Sequence, residues 1–115
     1  MKKIILMLGV LLMIFLVGCS RSTKSGSGEL DSFAQCLTEK GVKMYGTEWC
    51  SHCKNQKAAF GSSFQYVDYV DCDRSKQVCD SAEITGYPTW IIEGQNYPGE
   101  QQLNKLASLS GCELS

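Results

Sequence analysis

The chain has 115 residues, 43% of them hydrophobic and 20% charged, with seven cysteines and a formal net charge of −1. Much of the apolar content lies in the first eighteen residues; the 97 from Cys19 onward suffice for one small domain and one core, and without Lys2 and Lys3 their formal charge is −3. That balance lacks the basic face a nucleic-acid binder needs to neutralise phosphates, and so many cysteines in a small exported chain read as disulfide chemistry.

The chain opens on a short positive start, Met1-Lys2-Lys3, and an unbroken apolar run from Ile4 to Val17. At 14 residues the run is shorter than the roughly 18 a spanning helix needs, and it has the shape of a signal peptide. Leu16-Val17-Gly18-Cys19 resembles the bacterial lipobox, where a signal peptidase cuts before the cysteine and its thiol carries a diacylglyceryl group. An ordinary signal peptide, or an uncleaved anchor with Cys19 a spectator, is the other reading; all of them place the rest outside the cytoplasm. Acyl chains on Cys19, at about 0.8 kcal/mol per buried CH₂, would hold the protein on the cell membrane or outer membrane, facing the periplasm in a Gram-negative cell. Ser20 to Gly28 is a Ser/Gly tether with an r.m.s. reach of roughly 15 to 18 Å. The expected division is a signal peptide over 1–18, lipidated Cys19 and tether over 19–28, and one folded domain over 29–115.

In the folded part, Ser32-x-x-Gln35 has a capping-box pattern, Phe33, Ala34 and Leu37 share a helical face and Gly41 can end the element, which predicts a helix over about 30–40. A strand is predicted over 42–45, followed by Trp49-Cys50-Ser51-His52-Cys53 and a helix running to Phe60, stopped by Gly61. The aromatic and β-branched run Tyr66 to Asp71 predicts a second strand, and Ser75 to about Ile84 a short helix. Thr89 to Ile92 reads as a buried strand and Gln95 to Pro98 as its hairpin partner, with Gly94 in the turn; Glu100 to Leu109 closes the chain as a helix. The predicted order is α-β-α-β-α-β-β-α.

A Cys-x-x-Cys between a strand and a helix has a chemical logic. Unpaired amides and the macrodipole at a helix start favour an anion, so a cysteine placed there is a better thiolate, and one three residues on can resolve a mixed disulfide. Cys50 is thereby the expected nucleophile and Cys53 the resolver, with Trp49 just before the pair. His52 is either a solvent-exposed loop residue or a donor that stabilises the Cys50 thiolate, which would make the disulfide a stronger oxidant.

With Ile84-Thr85-Gly86-Tyr87-Pro88-Thr89 downstream of this dithiol, the sequence resembles the thioredoxin superfamily over nearly all of the folded part. The resemblance implies an α/β thioredoxin-like fold with a central four-stranded mixed sheet, and Pro88 in a cis peptide after Tyr87, facing the dithiol and excluding metal from it. More closely, Tyr45 to Cys53, the Cys72/Cys79 pair and Gly86-Tyr87-Pro88-Thr89-Trp90 resemble the thioredoxin-like domain fused to bacterial and plant vitamin K epoxide reductase homologues. That subgroup lacks the first strand of full-length thioredoxin and implies disulfide formation, with electrons passed to a quinone-linked membrane partner. Thioredoxin carries a buried Asp in the strand before its active site, serving proton transfer to the resolving cysteine; the corresponding residue here is Met44, so a thioredoxin-like reductant cycle lacks that proton acceptor.

The resemblance also implies a structural disulfide between Cys72 and Cys79, worth about 2.5 kcal/mol by loop-closure entropy; a shuttle pair relaying electrons to Cys50/Cys53 is the alternative. Cys36 and Cys112 are left over. Parity suggests that they pair, while the predicted elements do not clearly bring the first helix beside the chain end. A zinc site built from Cys50, Cys53, Cys72 and Cys79 has 18 residues between its halves, a usual value, but Cys72-x₆-Cys79 is wide for a ligand pair. Asp68, Asp71, Asp73 and Asp80 fit no EF-hand and read as a solvated acidic rim. The expected protein is therefore a lipid-anchored, monomeric thiol-disulfide oxidoreductase without cofactor or metal, acting on exported cysteine-containing proteins. A thiol reductase of the cytochrome c maturation or disulfide-repair type, and a zinc-binding or structural lipoprotein, are its rivals.

Overall fold

The computed structural model describes residues 28–114; the leader, Cys19 and the tether up to Ser27 lie outside the described residues. Helix α1 (Asp31–Glu39) buries Phe33, Ala34 and Leu37 on one face, as their spacing predicts. Its start differs from expectation. Leu30 is the N-cap and no side chain caps the helix, so the Ser32/Gln35 capping box does not form. The first turn is instead held by Asp31, whose carboxylate accepts a hydrogen bond from the buried Ser63 hydroxyl at 2.7 Å. Gly41, at φ +76°, ends the element and donates to the Thr38 carbonyl.

Strand β1 (Lys43–Gly46) leads into α2 (Ser51–Phe60). A 3₁₀ helix over Gly61–Tyr66 follows, where the sequence reading started a strand at Tyr66. Thr38 of α1 explains the difference: its hydroxyl donates to the Tyr66 carbonyl at 2.6 Å and accepts from the Asp68 amide at 3.1 Å, so pairing begins only at β2 (Asp68–Asp71). Helix α3 (Lys76–Ser81) is shorter than predicted because Glu83 takes a positive φ of 58° and the Ile84 amide turns back to the Cys79 carbonyl. Strands β3 (Thr89–Ile92) and β4 (Gln95–Pro98) have the predicted bounds, joined through Glu93 and Gly94 at φ +51° and +77°, the left-handed pair a tight hairpin requires. The last helix, α4 (Leu103–Ser110), starts three residues later than expected.

The four strands form one sheet in the order β2-β1-β3-β4, with β1 parallel to β2 and antiparallel to β3. Central β1 is buried on both faces, and strand alternation sorts the side chains. Met44, Tyr69, Trp90 and Ile92 face a main core with Phe33, Leu37, Phe60 and Leu106 from α1, α2 and α4. Tyr45, Val70 and Ile91 face a smaller cluster with Cys72 and Cys79. Phe60 is the hinge of the main core, its ring centroid 6.0 Å from Phe33, 6.0 Å from Phe64 and 5.9 Å from Trp90.

Two disulfides close the unit. Cys72–Cys79 spans a separation of 7 at the exit of β2. Cys36–Cys112 spans 76, with Cα atoms 5.9 Å apart, so the first helix and the chain end do meet. Their meeting follows from α1 and α4 sharing one sheet face. Gly111, at φ +74°, turns the chain back after α4, and Lys40 secures the turn by donating to the Ser110 carbonyl at 2.9 Å.

Candidate active site

Cys50 and Cys53 are the free cysteines among the described residues, and the strand-to-helix junction positions both. Cys50 is the N-cap of α2 in an extended conformation, and its Sγ accepts the Cys53 amide hydrogen bond at 3.2 Å. The sulfur thus takes the place a Ser or Asp oxygen usually fills at a helix start, where exposed amides and the macrodipole favour negative charge. In its thiol form it also donates to the Tyr87 carbonyl at 3.6 Å, which brings in the loop of the cis Tyr87–Pro88 peptide. Pro88 is buried behind that carbonyl, and its own carbonyl accepts from the Gly99 amide.

The two thiols differ in access. Cys50 retains 8% exposure and Cys53 has none. Gly46 makes this enclosure possible, because a Cβ there would lie 2.8 Å from the Cys53 sulfur. Burial, and then the hydrogen bond with Cys50, push the Cys53 thiol up from an ordinary 9.0 to about 12, opposed by the Thr47 backbone and the Lys57 charge.

Around the mouth, Trp49 is 67% exposed; its indole N–H donates to Asp73 at 2.9 Å and its ring meets Tyr87 edge-on at 6.1 Å. Asp73 of the acidic rim therefore orients the aromatic lip. His52 is exposed on the first turn of α2, and the partner it meets is Glu100, with Nδ1 3.0 Å from Oε2. Glu100 itself is held in place by its neighbour: the buried Gln56 side chain accepts from the Gln101 amide at 2.7 Å and the Trp90 indole at 3.0 Å, and donates to the Gln101 carbonyl. This engagement keeps 100–102 out of α4 and accounts for that helix's late start.

Gly46 and Glu48 enter the sequence reading only as members of the Tyr45–Cys53 motif, with no role of their own, and Gln56, Lys57, Tyr69 and Glu100 have no functional role in it. Only Lys57 carried a local signal, its position four residues after Cys53 on one helix face. Cys72 and Cys79 are bonded to each other, so the four-cysteine zinc arrangement is not formed.

Residues 30–109 match the thioredoxin family. Among curated relatives, the chain is 37% identical over 101 residues to the thiol-disulfide oxidoreductase LTO1 of Arabidopsis thaliana, covering 80% of this chain and 27% of that one. It is 33% identical over 79 residues to protein disulfide isomerase-like 2-2 of Oryza sativa subsp. japonica, covering 56% and 21%, and 34% identical over 92 residues to protein disulfide-isomerase 5-1 of Arabidopsis thaliana, covering 66% and 63%. The chain spans about a quarter of the length of the first two. With a four-stranded mixed sheet, a strand-to-helix dithiol under a cis-proline loop and a match over most of its length, the chain belongs to the thioredoxin family, whose relatives named here are thiol-disulfide oxidoreductases and protein disulfide isomerases.

Proposed function

We propose that the protein is an extracytoplasmic thiol-disulfide oxidoreductase, anchored through lipid on Cys19, that forms disulfides in exported proteins. Its reoxidation falls to a quinone-linked membrane partner of the vitamin K epoxide reductase type. The observation that carries the reading is the asymmetry of the dithiol: Cys50 Sγ caps α2 and keeps 8% exposure, while Cys53 keeps none and is sealed beneath Gly46. A substrate thiolate attacks Cys50 of the oxidised pair, Cys53 leaves, and a second substrate thiolate then displaces Cys50, whose thiolate the helix start stabilises. Trp49 and Tyr87 form the lip against which the substrate chain lies, and Pro88 fixes the carbonyl beside Cys50. His52 spends Nδ1 on Glu100 and, when its ring is protonated, keeps Nε2–H as a donor on the first turn, which stabilises the Cys50 thiolate and raises the potential of the couple. Leu16 to Cys19 supports the anchor, and the similarity to a thiol-disulfide oxidoreductase supports the chemistry.

The test is the equilibrium potential of Cys50/Cys53 against glutathione. It should lie between about −270 mV, the thioredoxin value, and about −120 mV, the strongly oxidising end, and His52→Ala should lower it by roughly tens of millivolts. In cells, Cys53→Ala should accumulate mixed disulfides through Cys50, and Cys50→Ala should not. A potential at or below about −270 mV that ignores His52 substitution would put the reductase reading in front.

A further inference from the structure

Cys53 must gain a proton and lose it again in every cycle, yet it sits where a charge is least welcome. It is fully buried, and burial pushes its thiol up to about 12. The β1 side chains offer no acid to help, since Met44 and Tyr45 are the buried residues before Gly46.

Help stands on other elements. Lys57 lies one turn after Cys53 on α2, a spacing that puts two side chains on the same face with Cβ atoms about 5–6 Å apart. Its ammonium is 3.1 Å from Glu48 Oε1, 4.0 Å from the Tyr69 ring centroid and 5.6 Å from that of Phe64. Tyr69 of β2 lines the same gap as the buried sulfur. A Cβ on Gly46 would lie 2.8 Å from Cys53 Sγ and 3.4 Å from Tyr69 Cε2. The Tyr69 hydroxyl is buried without a hydrogen-bond partner, and its ionisation is disfavoured by burial first and by the Glu48 charge next. Lys57 is thus wedged inward, 22% exposed, while Glu48 at 66% reaches water. A surface ion pair is worth little to stability, so the placement of this one is better explained by what it faces. Cys50 and, beyond Tyr69, Asp71 are the other titratable groups that bear on this pocket.

We propose that Lys57 and Glu48 form a charge pair that serves Cys53, the Lys57 ammonium steadying its thiolate and the Glu48 carboxylate passing its proton to and from water. The proposal rests on the reading of Cys50/Cys53 as the exchanging dithiol. In reoxidation, Cys50 is joined to the partner's sulfur. Cys53 loses its proton by way of Glu48, and its thiolate attacks Cys50 Sγ. The Cys50–Cys53 bond forms as the Cys50–partner bond breaks, two electrons pass to the partner, and the leaving partner thiolate takes up a proton. Lys57 is a positioning residue here, acting through the charge on Cys53.

The full-length reduced protein, loaded with glutathione as a mixed disulfide on Cys50, provides the test: release of glutathione by Cys53 is followed from about pH 6 to pH 9. Lys57→Gln should slow release about tenfold at neutral pH and displace the profile to higher pH, while Lys57→Arg, which keeps the charge, should stay near wild type. Glu48→Gln should slow release and make its rate rise with buffer concentration, because the proton then leaves through buffer. Unchanged urea midpoints separate these effects from misfolding. If Lys57→Gln releases glutathione within about twofold of wild type with the same profile, or Glu48→Gln is as fast and buffer-independent as wild type, the proposal is overturned. If the mixed disulfide never forms on wild-type Cys50, the dithiol reading fails instead.

Discussion

At the scale of single residues, the raised Cys53 thiol ties redox state to pH stability. An unfolded thiol titrates near the ordinary 9.0 and the folded one near 12, so between these values the unfolded chain has lost a proton that the native chain keeps. Stability contributed by this group is whole below about pH 9 and falls as pH rises through about 12, since the native state then binds the extra proton. The oxidised protein has no thiol to ionise at that position, whereas Tyr69, raised by burial, titrates in both forms. The reduced protein should therefore lose urea resistance relative to the oxidised one between about pH 8 and about pH 10.5. A gap between the two midpoints that stays constant over this range would show that Cys53 is not held neutral by burial.

At the scale of elements, Gln56 joins α2 to the segment before α4 and to the centre of the sheet. Gln56→Leu keeps the volume but leaves the Trp90 indole N–H buried without an acceptor. The expected loss is about 2 to 3 kcal/mol in chemical denaturation, against well under 1 kcal/mol if the three hydrogen bonds were dispensable. Gln56 also marks where the sequence stops being legible. Elements written in local chemistry, such as the strand-to-helix junction at Cys50, the Glu93-Gly94 hairpin and the apolar face of Phe33, Ala34 and Leu37, appear where their residues predict them. Elements whose backbone groups are claimed from a distance do not. Tyr66 is kept from β2 by Thr38, 28 residues away, and Gln101 from α4 by Gln56, 45 away. The Lys57, Glu48 and Tyr69 group comes from a helix, a loop and a strand, so the sheet register that assembles it is visible only in the folded chain.

At the scale of the whole molecule, the two disulfides contribute unequally. Loop-closure entropy assigns about 4.5 kcal/mol to Cys36–Cys112, with its separation of 76, and about 2.5 kcal/mol to Cys72–Cys79, with 7. Replacing Cys36 and Cys112 together by Ser should therefore lower unfolding free energy more than replacing Cys72 and Cys79, as read from urea curves. The reverse order would mean that native packing around Cys72 and Cys79, rather than the tied unfolded chain, sets their worth. In a small domain, either loss is a large share of the total.

The Cys36–Cys112 bond also makes the chain between those residues a covalent ring that holds all four strands, the dithiol and most of the core. Mechanical tension applied at the two termini enters near the end of α1, crosses the S–S bond and leaves past Gly111, bypassing the sheet. Stretching the oxidised domain should thus yield almost none of the roughly 250 Å of contour stored in its 76-residue separation until a reductant opens the ring. Cys50 and Cys53 lie off the load path, so their geometry persists while the domain is pulled between its ends.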